Sequence, residues 1–373
     1  LNQWLISQFG IDPLDDAFTG SKERPFHRLA APLRDAREEG LDHDGLHKFF
    51  HALTESELFH DEFRAIPKAR LQAYEENIGR HTKAINERRA RPVVWKYYQW
   101  LSLLFVEIYL DRWFADCESL LADLNAYVAR FNAKWPNHAD MTEYVLDDLN
   151  KLSLQNAAGS GKTLLMHVNV LQYRHYASQY GRSKDLSRAI LITPNESLSL
   201  QHIDEFRESG IEASNFAKEG LSLFTQERGL GRVDVLEITK LGDKEGPNTV
   251  ATRSLGDQNL LLVDEGHRGM SGKDEGVWFT RRSDLCAKGF TFEYSATFEQ
   301  AVQASGNANF VNSYAKTIVF DYSYRWFYED GFGKDYQILN LPKSYETARD
   351  NYLTACLLKF YQLSQFIYSL GDR

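Results

Sequence analysis

One short segment of the sequence has the residue types and the spacing of a phosphate-binding loop. Gly159, Ser160 and Gly161 form a loop whose backbone N–H groups can close around phosphate oxygens. Lys162 follows and can reach the terminal phosphates, and the Thr163 hydroxyl can hold Mg²⁺. The segment therefore predicts binding of a polyphosphate ligand together with its metal ion.

The strict pattern of such loops, G-x-x-x-x-G-K-[ST], is broken at its first position by Asn156. Gly159 and Gly161 still permit the tight turn. A short apolar run precedes the loop and a helical pattern follows it, so a helix N-terminus would add its partial positive charge to the site. The alternative is a glycine-rich helix cap followed by a lysine, which would need no ligand.

A pair of acids ends the apolar run LLLVDEGHRG, at residues 260–269. Asp264 is expected to hold Mg²⁺ through water, and Glu265 to orient or deprotonate an attacking water. Alone, the two acids could be a helix cap after a strand. Because a phosphate loop precedes them, they predict hydrolysis of a nucleoside triphosphate.

Short apolar runs alternate with helical stretches from about residue 151 onward, which predicts a mostly parallel sheet with helices on both faces. Ligands bind such sheets beyond the carboxyl ends of the strands, where every motif falls. The predicted strands are Lys151–Gln155, Ala189–Thr193, Val233–Thr239, Asn259–Asp264, Phe290–Ser295 and Thr317–Phe320, and the predicted helices are Lys162–Tyr180, Ser197–Ser209 and Trp278–Ala287.

The composition is typical of a globular protein and does not favour one that coats nucleic acid through a high overall positive charge. Hydrophobic and charged residues make up 43% and 25% of the chain, and the net charge of −9 leaves room only for a local nucleic-acid groove. The apolar stretch at residues 97–110 is shorter than a bilayer span and contains Gln99 and Glu107, so we expect a buried amphipathic helix and no membrane span. No secretion signal is apparent, and Cys117, Cys286 and Cys356 are scattered, which predicts a cytoplasmic protein.

In combination, GSGKT, DEGH and the SAT of Ser295–Thr297 resemble the first motor domain of a superfamily 2 (DEAD/DEAH-box) helicase. TPN at Thr193–Asn195 and ITKL at Ile238–Leu241 resemble its nucleic-acid backbone motifs. The resemblance spans about residues 90–340. It implies an α/β, RecA-like P-loop NTPase domain, preceded by an α-helical accessory region.

The resemblance also implies ATP and Mg²⁺ as cofactors and a role for each motif residue. His267 could instead be satisfied by local hydrogen bonds, and the backbone-contacting residues could be ordinary turn and capping residues. The implied roles are catalysis by Lys162, Asp264 and Glu265; nucleotide binding by Gly159, Ser160, Gly161, Lys162 and Thr163; metal binding by Thr163 and Asp264; coupling by His267, Ser295 and Thr297; and nucleic-acid contact by Thr193, Asn195, Thr239 and Lys240.

Three further stretches are similar to the helicase (Res) subunit of type III restriction enzymes and to related phage-defence proteins. They are the HRG after Glu265, FEYSATF at residues 292–298 and FDYSYRWFYEDGFGKDYQILNL at residues 320–341. WKYYQ resembles the element whose glutamine reads adenine, so Gln99 would select ATP. A helical insertion near Ser119–Asp148 is expected to explain its unusually long separation from the phosphate loop.

We therefore expect four segments and one principal function. The segments are a helical accessory region (1–90), a helical segment carrying Gln99 and an insertion (91–150), the first RecA-like domain (151–325) and a connector that starts a following helical or second motor domain (326–373). The function is that of an ATP-driven helicase or translocase in restriction or phage defence. It would contact the backbone of DNA, with duplex DNA expected in preference to single-stranded DNA. Its partners would be methyltransferase, nuclease or other defence subunits.

Superfamily 2 motors take charge-stabilising arginines from a second motor domain, for which the sequence after SAT is too short. We expect the N-terminal portion of a longer protein, which by itself binds ATP–Mg²⁺ and hydrolyses it weakly. Arg268, Arg281 and Arg282 follow the acidic pair within the first domain. The alternative function is a nucleotide-binding regulatory or scaffolding module whose helical N-terminus binds proteins.

Overall fold

The computed structural model describes residues 1–373 except 22, 58–64, 137–140, 217–228, 243–248, 268–276, 307, 334–351 and 363–373. The chain divides into two units, Leu1–Asp330 and Gly331–Arg373. In the second unit residues 352–362 are helical. A helix is expected from the sequence at 345–370, and the remainder of that stretch lies outside the described residues.

Helices make up the region before the phosphate loop, as predicted. The longest of the first four buries one side, because Leu71, Tyr74, Ile78 and Ile85 recur at helical spacing and are all buried. The helices are α1 (Asn2–Ser7), α2 (Pro25–Ala30), α3 (Lys48–Glu55), α4 (Lys68–Asn86), α5 (Tyr97–Ala115) and α6 (Cys117–Lys134).

Strands and helices alternate from residue 151, and two predicted strands have the predicted bounds. These are the strand that ends at Asp264 and the strand that ends at Ser295, and every residue of both strands except Asp264 is buried. The elements are β1 (Lys151–Asn156), α7 (Lys162–Gln179), β2 (Arg188–Thr193), α8 (Glu196–Glu208), β3 (Glu212–Asn215), β4 (Gly229–Glu237), β5 (Leu241–Gly242), β6 (Val250–Ala251), β7 (Asn259–Asp264), α9 (Val277–Leu285), β8 (Phe290–Ser295), α10 (Phe298–Ser305), α11 (Ala308–Thr317), β9 (Ile318–Tyr322) and α12 (Tyr324–Glu329).

Seven of these strands form one sheet in the order β3-β4-β2-β7-β8-β1-β9, and every neighbouring pair is parallel. The register places Ile192 beside Val263 and Gln155 beside Ser295. The carboxyl ends of β1, β2, β7 and β8 therefore meet at one edge of the sheet. That edge carries the phosphate loop, TPN, the acidic pair and SAT.

Helices cover both faces of this sheet. The connections through α7 and α8 lead to strands nearer the outer strand β3, and those through α9, α10 and α11 lead to strands nearer the outer strand β9. Because such crossovers are right-handed, the two sets of helices lie on opposite faces. On the second face Ile190, Leu261 and Val263 pack with Leu285 of α9 in one buried cluster. The predicted α/β class, a parallel sheet with helices on both faces after a helical N-terminal region, is confirmed.

Helix α5 differs from its prediction, because it is buried on all sides. Only Arg112 and Ala115 of its 19 residues are not buried. It packs against α4, α6, α7 and β9, so no face is left for solvent, and even its polar residues Gln99, Ser102, Glu107 and Asp111 are buried. The expected amphipathic character is therefore wrong. None of the described helices combines the length and the apolar character that crossing a bilayer requires.

Candidate nucleotide-binding site

The loop between β1 and α7 has the backbone conformation that its glycines predict. Gly159 has φ +81° and Gly161 has φ +90°, in the left-handed region that glycine adopts at little cost. Gly161 is the N-cap of α7. The first N–H groups of this 18-residue helix therefore point toward the loop, where an anion can accept from them.

The ammonium group of Lys162 lies inside the loop. Its Nζ donates to the carbonyl oxygens of Asn156, at 3.2 Å, and Ala157, at 3.4 Å. Burial lowers the pKa of Lys162, and the carboxylates of Glu265 and Asp264 act in the opposite direction. A cation held by two carbonyls and influenced by both acids is placed to exchange these contacts for phosphate oxygens.

Two polar side chains of the loop are buried without a hydrogen-bond partner among the described residues. They are Asn156, through both amide atoms, and Ser160, through its hydroxyl. An unpaired buried polar group costs about 1–3 kcal/mol. Thr163 lies half-buried in the first turn of α7. The site therefore suits a polyphosphate with its metal ion. It offers unpaired polar atoms, the N–H groups of a helix N-terminus, an inward-pointing lysine and a hydroxyl.

Gln99 contacts the phosphate loop directly, across 61 residues of sequence. Its Nε2 donates to the Ser160 carbonyl at 2.8 Å, and its Oε1 accepts from the Lys96 N–H at 2.8 Å. A Cβ added at Gly161 would come within 2.5 Å of this Nε2. Each polar atom of Gln99 retains one further hydrogen-bonding position, which reading adenine requires. That role stays a prediction, and α6 lies in the stretch where the insertion is predicted.

The two residues of the acidic pair lie at the end of β7 and differ in backbone conformation. Asp264 ends the strand, and its Oδ2 lies 3.0 Å from Nε2 of His202 on α8. Glu265 has φ +53°, the one positive φ of a non-glycine residue among the described positions. The turn is fixed because the Gly266 N–H donates to the Tyr294 carbonyl at 2.9 Å. A left-handed glutamate at the predicted catalytic position fits the tendency of backbone strain to occur at functional sites.

His267 lies between the acidic turn and SAT. Its Nδ1 is 2.8 Å from the Ser295 hydroxyl and 3.3 Å from Oε2 of Glu265. The same hydroxyl accepts from the Thr297 N–H at 3.0 Å. The three predicted coupling residues are thus brought together beside Glu265, and their role in coupling stays a prediction.

Thr193 and Asn195 both take part in the start of α8. Thr193 is buried and its hydroxyl is 2.6 Å from that of Ser199. Asn195 is the N-cap, because its Oδ1 accepts from the Leu198 N–H at 3.0 Å. In this conformation both side chains perform capping and turn roles. Contact with a nucleic-acid backbone stays a prediction.

Thr239 and Lys240 lie in a short 3₁₀ turn, Ile238–Lys240, just after β4. β4 ends at Glu237, two residues before the predicted end of the strand. The Thr239 hydroxyl donates to the carboxylate of Glu237, and the Lys240 ammonium is 3.5 Å from it. Both side chains are exposed at the edge of the sheet that also carries TPN.

Two of the three arginines after the acidic pair point into the protein. Arg282 is buried, donates to the Gly266 carbonyl at 3.0 Å and lies 3.8 Å from the Glu293 carboxylate. Arg281 donates to the carbonyl of Leu241 at 2.8 Å. Arg282 therefore supports the Glu265 turn from inside, and Arg268 lies outside the described residues.

Sequence reasoning missed His202 and the supporting role of Arg282. Both depend on partners far away in the sequence. The available signal for His202 is its spacing with Ser199 and Phe206, which places it on the inward side of α8.

Residues 120–300 match the family described as type III restriction enzyme, res subunit, which confirms the predicted recognition for this segment. No curated protein matches the chain. Similar solved structures include the Sulfolobus solfataricus SWI2/SNF2 ATPase core in complex with dsDNA, with 11% identity, a TM-score of 0.27 and coverage of 39% of this chain and 27% of that chain. Another is the Pyrococcus furiosus Hef helicase domain, with 14% identity, a TM-score of 0.31 and coverage of 46% and 35%. The chain thus spans less than two thirds of either structure.

Proposed function

Because residues 120–300 match the family described as type III restriction enzyme, res subunit, we propose that the chain is the first RecA-like half of an ATP-driven DNA helicase or translocase. The observation that carries this proposal is the position of Lys162. Its ammonium points into a glycine loop at the N-terminus of α7, and the acids Asp264 and Glu265 influence its pKa.

The residues of the site divide the chemistry of ATP hydrolysis between them. The loop N–H groups and Lys162 would bind the phosphates, while Thr163 and Asp264 would hold Mg²⁺. Bound Mg²⁺ supplies neutralisation of the charge that develops on the phosphates. Glu265 would orient the attacking water and accept its proton. Its turn is held by Arg282, so the carboxylate enters the reaction with its backbone already fixed.

The proposed nucleic-acid contacts lie at the same edge of the sheet. TPN follows β2 and ITKL follows β4, and these two strands are neighbours. Backbone N–H groups and short polar side chains at this edge suit contact with phosphates rather than with base edges. We propose duplex DNA as the track, a cytoplasmic restriction or defence system as the setting, and a methyltransferase or nuclease subunit as partner.

Variants of the two central residues test the proposal. In the full-length protein, ATPase activity is measured with no nucleic acid, with duplex DNA, with single-stranded DNA and with RNA. Stimulation by duplex DNA supports the motor. Lys162→Ala should weaken ATP binding by about tenfold to a hundredfold and lose turnover, whereas Glu265→Gln should keep ATP binding and lose turnover. Biological activity that survives Lys162→Ala would instead favour the nucleotide-binding scaffold.

A further inference from the structure

A histidine occupies the inward side of α8, where the neighbouring buried residues are mostly apolar. His202 is buried together with Ser199, Ile203 and Phe206, which share its side of the helix. A polar ring in such a place requires a partner, because an unpaired buried polar group is costly. The partner of His202 is the carboxylate of Asp264, at the end of β7.

This contact fixes one oxygen of the carboxylate and leaves the other available. His202 Nε2 lies 3.0 Å from Asp264 Oδ2, and the two side chains are only 5% and 12% exposed. Oδ1 of Asp264 makes no hydrogen bond with the described residues. Hydrogen bonds to a metal-binding carboxylate orient it, so His202 determines where Oδ1 points.

The same helix also carries a predicted nucleic-acid motif. The α8 cap is Asn195, and Ser199 joins the helix to Thr193 at the end of β2. β2 pairs directly with β7, the strand that ends in Asp264. A shift of α8 would therefore act on the Asp264 carboxylate through His202.

We propose that His202 is a positioning residue that orients Asp264 toward Mg²⁺ and connects α8 to the metal site. The inference rests on the proposed function, because it assigns Asp264 to the metal. No titration of the histidine is involved. The ring acts as a fixed donor to one carboxylate oxygen.

Three substitutions separate positioning from packing. His202→Phe keeps the ring and removes the donor, whereas His202→Asn keeps a donor that is too short to reach. The amide of His202→Gln can reach the same oxygen. The matched control is His167→Phe, because His167 is also buried between α7 and α8, where it stacks on Phe206 and contacts Ser209.

The experiment measures Mg²⁺-dependent binding of a fluorescent ATP analogue and binding of Mn²⁺ by electron paramagnetic resonance. We expect His202→Phe and His202→Asn to raise the Mg²⁺ concentration for half-saturation by about tenfold or more. His202→Gln should restore most of the affinity. His167→Phe should have the wild-type value, and affinity for the analogue in EDTA should be the same in all variants.

An unchanged Mg²⁺ requirement in His202→Phe overturns the inference, as does a shift that Gln does not rescue. If His202→Phe does not fold, the comparison of His202→Asn with His202→Gln decides by the same criteria. A wild-type protein that binds the analogue without any dependence on Mg²⁺ would contradict the proposed function itself, which is a separate outcome.

Discussion

Alanine at Gly161 should disturb the phosphate loop in two ways that can be measured separately. The backbone has φ +90°, and a left-handed residue with a Cβ costs about 1–2 kcal/mol. The new Cβ would also lie 2.5 Å from Nε2 of Gln99, which must then give up its hydrogen bond to the Ser160 carbonyl. That bond contributes about 0.5–1.5 kcal/mol. Gly161→Ala should therefore lower the free energy of unfolding by about 1.5–3.5 kcal/mol.

A double-mutant cycle isolates the contact. With Gln99→Ala already in place the clash is gone, so Gly161→Ala should cost only the backbone part. The two substitutions should then fall short of additivity by about 0.5–1.5 kcal/mol. Gly159→Ala is the matched control, because its φ is +81° and no atom lies within 4 Å of its would-be Cβ. Its effect should add to that of Gln99→Ala within about 0.5 kcal/mol.

Urea unfolding followed by tryptophan fluorescence gives the free energies for both cycles. Strict additivity in the Gly161 cycle would show that Gln99 does not contact the loop. Equal non-additivity in the Gly159 cycle would show that the coupling is not specific to this contact.

Two further substitutions have directions that follow from the structure. Glu265→Gly removes the left-handed glutamate, so it should raise the free energy of unfolding, measured in urea, by about 0.5–1 kcal/mol. The same substitution should abolish ATP turnover. A loss of stability would show that the backbone at Glu265 is not strained. Burial raises the pKa of Glu107 from 4.5 to about 7, so the stability it contributes is fully present below about pH 4.5 and is lost as the pH rises through about 7. Glu107→Gln should therefore flatten the decline of the unfolding midpoint between about pH 4.5 and about pH 7, and an unchanged slope would contradict the assignment.

The parts of the fold that follow from local sequence could be predicted. β7 contains the continuous apolar run Leu260–Val263, as expected for a parallel strand buried on both faces, so its bounds are visible in the sequence. β8 reads FTFEYS, in which the aromatic residues Phe290, Phe292 and Tyr294 alternate with polar ones, and that alternation also indicates a strand. β3 reads EASN and is half-exposed, with no apolar run, so its pairing with β4 leaves no signal in its side chains. The burial of α5 on all sides was hidden for a similar reason, because it depends on packing partners distant in sequence.

The candidate site divides in the same way. The loop around Lys162 and the pair Asp264–Glu265 are local patterns whose chemistry can be read from residue type and spacing. The bond from Gln99 to the loop joins residues 61 positions apart, and the His202–Asp264 contact joins residues 62 apart. No local pattern specifies such contacts, since they depend on which strands become neighbours in the sheet.

Calorimetric titration of the purified chain with ATP and Mg²⁺ measures directly whether the loop between β1 and α7 binds the nucleotide. We expect that one ATP binds per chain, that Mg²⁺ strengthens the binding, and that Lys162→Ala weakens it by about tenfold to a hundredfold, as expected for loss of a charged hydrogen bond. Absence of ATP binding, or equal affinity in wild type and Lys162→Ala, would contradict this expectation.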